Sequence, residues 1–250
     1  MAGSTRSARG LKLRIVMIGN TPPAPIAGTS ARPRTLRVTT DERGPLVVLL
    51  HGFAGAPEDL EPFSRSMGVG ARFVFPEGFS DLSVFGISGR GWWPSDGTSR
   101  AAALQAGMPR DLSAFEPEGL DAAHHALSRL LDEWTREAPD APLVLGGFSQ
   151  GAMLAFDVAL RSKQPLAAVV QLSGARIAKR LWDPLLSDRA GTRAFISHGR
   201  SDPDLAFQAT ARFDADLRAA GWRTDFCAFD GGHAVPIVAL RGLKRFLRGL

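Results

Sequence analysis

Short runs of apolar residues recur along this 250-residue chain, and segments with helical periodicity separate them. A run such as "PLVVLL" is typical of a strand that is covered on both faces in a parallel sheet. The runs lie at 45–50, 72–75, 142–147, 167–173, 192–197 and 224–229. The helical patterns lie at 58–67, 116–138, 150–162, 204–220 and 234–249. This alternation predicts an α/β fold with a mostly parallel, doubly wound sheet and helices on both faces.

The N-terminal part of the chain adds little to this core. Two further strands are expected at 11–18 and 35–39, as edge strands, with a Pro- and Gly-rich connection at 19–33. Residues 1–10 are small, polar and basic, which predicts a frayed start. No repeat or low-complexity linker divides the chain, so residues 1–250 are predicted to form a single domain.

One segment interrupts the alternation of strands and helices. Residues 78–115 are rich in Gly and Ser and include the adjacent Trp92 and Trp93. Loops of this length in a compact domain are usually functional or disordered. Burial of two tryptophan rings would hold the segment on the domain, which argues against disorder. We therefore expect an insertion-like segment that forms a wall or partial cover over a site.

Charge and cysteine content indicate the partners and the compartment. The formal net charge is +5, but the 25 acidic residues and the scattered arginines predict a solvated surface and no nucleic-acid partner. Cys227 is the only cysteine, which excludes an intrachain disulfide and fits a reducing compartment; it is expected to be a core residue. No apolar run reaches the length of a signal-peptide core or a membrane span. We expect a cytoplasmic protein without stable membrane insertion.

The segment "LGGFSQGAM" at 145–153 carries the first candidate site residue. Ser149 lies between Gly147 and Gly151, directly after an apolar run and directly before a helical pattern. This arrangement is typical of a strand-to-helix turn that holds a nucleophilic serine. A Gly-Ser turn without function is the alternative, because chance gives such a match in roughly one such chain in five.

Candidate partners for Ser149 follow two later strands. Ligands of doubly wound sheets bind outside the carboxyl ends of the strands, and Asp202 and His233 both lie just beyond such ends. The order Ser, Asp, His is that of the α/β-hydrolase triad. A serine nucleophile needs a base and a carboxylate that orients the base. We expect His233 to be the base and Asp202 its partner.

Two backbone amides complete the predicted site. An acyl-transfer site needs N–H donors for the oxyanion that forms during attack. The N–H of Gln150, directly after the serine, is expected to be one donor. The N–H of Phe53, in the turn after the first parallel strand, is expected to be the other.

Some neighbouring polar residues are rivals for these roles. Asp204 could orient the histidine, although an N-cap of the following helix explains it better. Asp230 is close to His233 in sequence, but the Gly-Gly pair after it indicates a turn. Ser173 also follows a strand, yet it lacks two flanking glycines, which makes it a weaker alternative nucleophile.

The other four histidines have structural explanations. His51 and His198 lie in His-Gly turns and are expected to bond nearby backbone. His124 and His125 are adjacent on a helix and cannot share a face, so they do not form a metal pair. Without a cluster of ligands at suitable spacing, no metal is predicted.

The ordered set of motifs resembles the carboxylesterase/phospholipase family of α/β-hydrolases, which includes acyl-protein thioesterases. The matching segments run from about residue 45 to the end: "LLHGFAG", "RFVFPEG", "GRGWWPSD", "GGFSQGAML", "VVQLSGA", "SHGRSDP" and "GGHAV". The resemblance implies the α/β-hydrolase fold and the triad and oxyanion donors named above. It also implies that Trp92 or Trp93 lines the acyl pocket. The chain departs from the family pattern at Asp204, where a small apolar residue is usual.

The predicted function is that of a serine esterase acting on uncharged acyl esters. Carboxylic esters are the expected small-molecule substrates, with lysophospholipids or thioesters as further options, and an acyl-enzyme is the expected intermediate. No cofactor is required by this chemistry, and a monomer or homodimer is expected. Alternatives are an acyltransferase and a non-catalytic protein that binds a ligand in the same pocket. The presence of all three triad residues argues against the binding protein.

Overall fold

A mixed sheet forms the centre of the protein in the computed structural model, which describes residues 33–95 and 97–250. The nine strands of this part are β1 (Thr35–Thr39), β2 (Leu46–Leu50), β3 (Arg72–Pro76), β4 (Ser80–Asp81), β5 (Arg90–Gly91), β6 (Leu143–Phe148), β7 (Ala168–Leu172), β8 (Arg193–Gly199) and β9 (Arg223–Phe229). The expected strand at 11–18, the connection at 19–33 and the frayed start lie outside the described residues, apart from residue 33.

Seven strands make the main sheet, in the order β1-β3-β2-β6-β7-β8-β9. β1 pairs antiparallel with β3 at one edge, and every other neighbouring pair is parallel. All six apolar runs are strands of this sheet, with ends within two residues of the predicted ones, and 35–39 is an edge strand as predicted. The doubly wound α/β-hydrolase fold is confirmed.

Helices cover both faces of this sheet. The α-helices are α1 (Glu61–Ser66), α2 (Thr98–Ala106), α3 (Leu120–Glu137), α4 (Gln150–Arg161), α5 (Lys179–Trp182), α6 (Phe207–Ala219) and α7 (Ile237–Arg248). Residues of α3, α4 and α6 pack in one apolar cluster, and residues of α1 and α7 pack in the other. Within β2, Val48 and Leu50 belong to the first cluster and Val47 and Leu49 to the second, as expected for a strand covered on both faces.

The central helix α4 is the most enclosed element. Each of its residues from Gln150 to Leu160 is buried, because α3 and the sheet lie against it. Its one buried carboxylate, Asp157, accepts hydrogen bonds from Trp182 Nε1 at 3.0 Å and Arg161 Nη1 at 3.1 Å, and lies 2.8 Å from His124 Nδ1. His124 therefore joins α3 to α4, which accounts for it without a metal.

Residues 78–115 form a folded segment at the carboxyl end of the sheet. It contains the antiparallel pair of β4 and β5 and the helix α2. Trp92 and Trp93 are both buried, as the argument against disorder requires. No helix of the described residues has the length and apolar character needed to cross a membrane.

Candidate active site

The turn between β6 and α4 holds Ser149 in a strained backbone conformation. Its φ is 51° and its ψ is −118°, a region that non-glycine residues rarely occupy. The flanking glycines are needed for space: a Cβ at Gly147 would lie 2.5 Å from the Leu50 carbonyl oxygen, and one at Gly151 would lie 2.3 Å from it. This explains why the sequence has glycine on both sides of the serine.

The structure brings Ser149, His233 and Asp202 into one hydrogen-bonded chain. Ser149 Oγ lies 2.9 Å from His233 Nε2, and His233 Nδ1 lies 2.7 Å from Asp202 Oδ2. Because a carboxylate only accepts hydrogen bonds, the His233 proton is on Nδ1, and Nε2 is free to accept the serine proton. The three residues come from different loops, and their order in this chain of contacts is the one that a nucleophile, its base and an orienting carboxylate would require.

The Asp202 carboxylate is buried, and both of its oxygens accept hydrogen bonds. Its Oδ1 accepts hydrogen bonds from the backbone N–H groups of Asp204 at 2.8 Å and Leu205 at 3.0 Å. Burial raises the pKa of the Asp202 carboxyl, but hydrogen bonds from His198 and His233 outweigh burial and hold the pKa well below its usual range. Asp202 is therefore ionised at neutral pH.

A second histidine touches the same carboxylate. His198, on β8, is fully buried, and its Nε2 lies 3.1 Å from the Leu205 carbonyl oxygen and 3.3 Å from Asp202 Oδ2. Its Nδ1 lies 3.1 Å from Thr210 Oγ1. The backbone contact agrees with the expectation for His198, but the contact with Asp202 was missed. The spacing of four residues between them was the only available sign.

Two backbone amides near Ser149 have no acceptor within the described residues. The N–H of Gln150 is the first of α4, where no intrahelical partner exists. The N–H of Phe53 belongs to the turn after β2, in which Ala54 has a φ of 59°. Both residues line the cavity next to Ser149. These are the two donors expected for an oxyanion.

The turn that carries Phe53 is fixed by His51 and Trp92. His51 Nε2 accepts a hydrogen bond from the Gly78 N–H at 2.9 Å, and Trp92 Nε1 donates to the His51 carbonyl oxygen at 2.8 Å. Burial lowers the pKa of the His51 imidazole, which favours the neutral ring that this pattern requires. The backbone N–H of Trp92 donates to Gln150 Oε1 at 3.0 Å, which ties the segment 78–115 to the turn after Ser149.

A cavity opens beside Ser149, and the segment 78–115 supplies more than half of its described lining. Trp93, Leu112, Phe115 and Met153 form its apolar wall. Trp93 thus lies at the cavity that contains Ser149. Trp92 is not in the described lining, because its ring is buried against His51 and Phe79. Of the two tryptophans that the sequence offered as alternatives, Trp93 is therefore the one at the cavity, and residues of the segment 78–115 stand beside Ser149.

The structure gives Asp204 neither of the two roles considered from the sequence, which were contact with His233 and N-cap of α6. α6 begins at Phe207 with Ala206 as its N-cap residue, so Asp204 does not cap this helix. Its carboxylate instead binds Arg100 Nε at 2.6 Å and Arg110 Nη2 at 2.5 Å. It makes no contact with His233 among those found in the described residues, whereas Asp202 does.

The other two rivals are also accounted for. Ser173 Oγ is buried and donates to the Ala234 carbonyl oxygen at 2.9 Å, and no hydrogen bond from it to a histidine ring is found in the described residues. The Asp230 side chain is 99% exposed and lies 3.6 Å from Arg200. Residues 33–95 and 97–250 contain no group of three or more His, Cys, Asp or Glu side chains arranged to hold a metal ion.

Comparison with known proteins identifies the family. The sequence matches the phospholipase/carboxylesterase family over residues 36–250. Acyl-protein thioesterase 1 of Neurospora crassa is 24% identical over 209 residues, which cover 79% of this chain and 80% of that protein. Esterase PE8 has a TM-score of 0.70 at 24% identity over 87% of this chain and 98% of that chain. Zea mays acyl-protein thioesterase 2 has a TM-score of 0.67 at 22% identity, with the same coverage of both chains.

These structural likenesses agree with the α/β-hydrolase fold of the sheet and its helices. The family match covers the described strands and helices from residue 36 onward and includes Ser149, Asp202 and His233. The chain belongs to the phospholipase/carboxylesterase family.

Proposed function

We propose that this protein is a serine hydrolase that cleaves carboxylic esters through an acyl-enzyme, with Ser149, His233 and Asp202 as its catalytic triad. Family membership supports hydrolysis of an ester or thioester. The observation that carries the finer proposal is the unbroken chain from Ser149 Oγ through the His233 ring to Asp202. A pocket that only binds a ligand needs no such alignment.

The first half of the reaction forms the acyl-enzyme. As Ser149 Oγ attacks the ester carbonyl carbon, His233 Nε2 takes the hydroxyl proton, and Asp202 stabilises the imidazolium that results. The carbonyl oxygen gains negative charge and accepts hydrogen bonds from the N–H groups of Phe53 and Gln150. Collapse of the intermediate breaks the bond to the leaving group, which takes its proton from His233.

The second half releases the acid. Water enters in place of the leaving group and gives a proton to His233 Nε2 as its oxygen attacks the acyl carbon. The bond to Ser149 Oγ then breaks, and His233 returns the proton to the serine. The net reaction consumes one water, and no cofactor takes part in any step.

The position of His233 supports a proposal for where the two parts of the substrate bind. The leaving group must lie near His233 Nε2 to receive its proton. Phe148, whose ring centre is 4.9 Å from that of His233, and Val235 line a groove that also contains Leu60 and Phe63. Phe53 lines both this groove and the cavity with Trp93. We therefore assign the groove to the leaving group and the cavity to the acyl chain.

The first test is hydrolysis of p-nitrophenyl esters from acetate to laurate by the wild type and Ser149→Ala. The variant is expected to lose several orders of magnitude in kcat, as removal of a triad member does. Ser173→Ala is the matched control, and it should stay within about tenfold of the wild type because it removes one hydrogen bond. Equal activity in Ser149→Ala and the wild type would contradict the proposal.

A second assay addresses the leaving group. A thioester and an oxygen ester with the same acyl chain would be compared at equal concentration. The acyl-protein thioesterase relative at 24% identity is the reason to include the thioester. Hydrolysis of both, abolished together by Ser149→Ala, is expected from one acyl-enzyme.

A further inference from the structure

Two histidine rings share one oxygen of the Asp202 carboxylate. Asp202 Oδ2 lies 2.7 Å from His233 Nδ1 and 3.3 Å from His198 Nε2. The proposed reaction uses the first of these contacts and leaves the second without a role. The side chains of His198 and Asp202 are both fully buried, so bulk water does not compete for their contact.

The surroundings of His198 Nε2 show that this nitrogen carries a proton. Besides Asp202 Oδ2, it faces the Leu205 carbonyl oxygen at 3.1 Å. A carboxylate and a carbonyl oxygen only accept hydrogen bonds, so an unprotonated nitrogen next to both of them would be repelled. His198 Nε2–H is therefore a donor that is shared between the two oxygens.

The other ring nitrogen fixes the orientation of His198. Nδ1 lies 3.1 Å from Thr210 Oγ1 on α6, and Thr210 Oγ1 lies 3.2 Å from the Gly174 carbonyl oxygen. A hydroxyl group can donate or accept, so the contact with Thr210 is favourable whether or not Nδ1 carries a proton. The ring is thus held between α6 and the loop after β8, with Nε2 directed at Asp202.

The two oxygens of Asp202 are held by different partners. Oδ1 accepts from the N–H groups of Asp204 and Leu205, which belong to the same loop as Asp202. Oδ2 is the oxygen that faces His233, and His198 is the partner that reaches it from β8. Burial raises the pKa of the Asp202 carboxyl, and the hydrogen bonds from His198 and His233 lower it. His198 thus helps to keep the carboxylate ionised beside the His233 ring.

We propose that His198 is a positioning residue of the triad, whose Nε2–H keeps Asp202 Oδ2 directed at His233 Nδ1. The inference rests on the proposed function, because His198 acts only through Asp202 and transfers no proton itself. Without this donor the carboxylate group is freer to rotate about its Cβ–Cγ bond. The His233 imidazolium that forms as Ser149 attacks then loses part of its stabilisation.

The test compares two substitutions of His198 that differ in one hydrogen-bond donor. In His198→Gln, the amide nitrogen is the same number of bonds from Cβ as the ring Nε2, so a donor is kept. In His198→Met, an unbranched side chain fills the space without a donor. His124→Met is the matched control, because His124 is also buried and lies 2.8 Å from a buried carboxylate, Asp157, between α3 and α4.

The measurements are kcat for p-nitrophenyl butyrate and urea denaturation of each variant, with Ser149→Ala as the blank. His198→Met should lower kcat about tenfold or more, the loss expected for a hydrogen bond to a charged group. His198→Gln should stay within about threefold of the wild type. His124→Met should lose stability and keep its kcat, which separates loss of a buried histidine from loss of support for Asp202.

A double variant tests whether His198 acts through Asp202. If it does, adding His198→Met to Asp202→Asn should change kcat by less than about threefold, because the carboxylate that His198 positions is already gone. If the two residues act separately, the losses of the single variants multiply. Should His198→Met fail to fold, His198→Asn replaces it, because the shorter amide places its nitrogen at the position of Nδ1 and leaves none at Nε2.

Three results would overturn the inference. A folded His198→Met protein with the kcat of the wild type would show that the contact has no role in the reaction. Equal losses in His198→Gln and His198→Met would make His198 a packing residue. Multiplied losses in the double variant would separate His198 from Asp202. In each case the proposed function stands if Ser149→Ala is inactive. If Ser149→Ala is as active as the wild type, the proposed function fails and the inference falls with it.

Discussion

Gly151 lies so close to the end of β2 that a methyl group at this position has no room. A Cβ would lie 2.3 Å from the Leu50 carbonyl oxygen and 2.4 Å from that of His51, about 1 Å inside ordinary van der Waals contact. Both obstacles are backbone atoms, which cannot rotate away. The φ of Gly151 is not among the positive values, so the cost of Gly151→Ala comes from this contact and not from backbone strain.

Overpacking of this kind costs about 1–3 kcal/mol, and two backbone obstacles place Gly151→Ala near 3 kcal/mol. For a chain of this length that corresponds to a fall in Tm of about 6–12 °C. The carbonyl groups involved end β2 and begin the turn with Phe53, so the displacement also reaches the oxyanion donors. A shift of about 1 Å there would lower kcat roughly 100-fold.

The assays are urea denaturation followed by circular dichroism, and p-nitrophenyl ester hydrolysis below the melting transition. Gly107→Ala is the control: Gly107 has a φ of 63°, and no atom lies within 4 Å of the position that an added Cβ would take. It should cost about 1–2 kcal/mol through its left-handed backbone and leave kcat unchanged. A Gly151→Ala protein as stable and as active as the wild type would refute the reasoning.

Three further predictions concern the site and the thiol. Asp202→Asn should lower kcat by about 10⁴ at neutral pH, because the amide favours the wrong His233 tautomer, whereas Asp230→Asn should have no effect; a steady-state comparison of the two decides this. Trp93→Ala should shift the preferred p-nitrophenyl ester toward longer acyl chains, and an unchanged optimum would exclude Trp93 from the acyl pocket. Burial raises the pKa of the Cys227 thiol. Its alkylation by iodoacetamide should therefore be slower than that of a cysteine peptide at about pH 8 and increase only at higher pH, which mass spectrometry can follow.

Local sequence patterns were sufficient for the sheet. A strand covered on both faces is apolar at every position, as in β2, so the central parallel strands can be recognised without knowledge of their neighbours. The turn that carries Ser149 could also be predicted from local sequence, because only glycine fits on either side of the serine. Asp202 and His233 could be found because the fold places strand ends at one edge.

The substrate pocket could not be predicted in the same way. α2 has no buried residue, so it lacks the apolar spacing that marks a helix. Arg100 and Asp204 are 104 residues apart, and no local pattern pairs them. Asp204 was misassigned because aspartate is a favourable N-cap, while the chain continues to Ala206 before α6 begins. Trp92 and Trp93 are adjacent, and sequence alone could not say which ring faces the cavity.

The central claim is that Ser149 is a nucleophile activated by His233. The most direct measurement is labelling of the native protein with a fluorophosphonate, followed by mass spectrometry of its peptides. The adduct should lie on Ser149, should be absent from Ser149→Ala, and should form far more slowly in His233→Ala because the serine then lacks its base. An adduct on another serine such as Ser173, together with ester hydrolysis that survives in Ser149→Ala, would contradict the account.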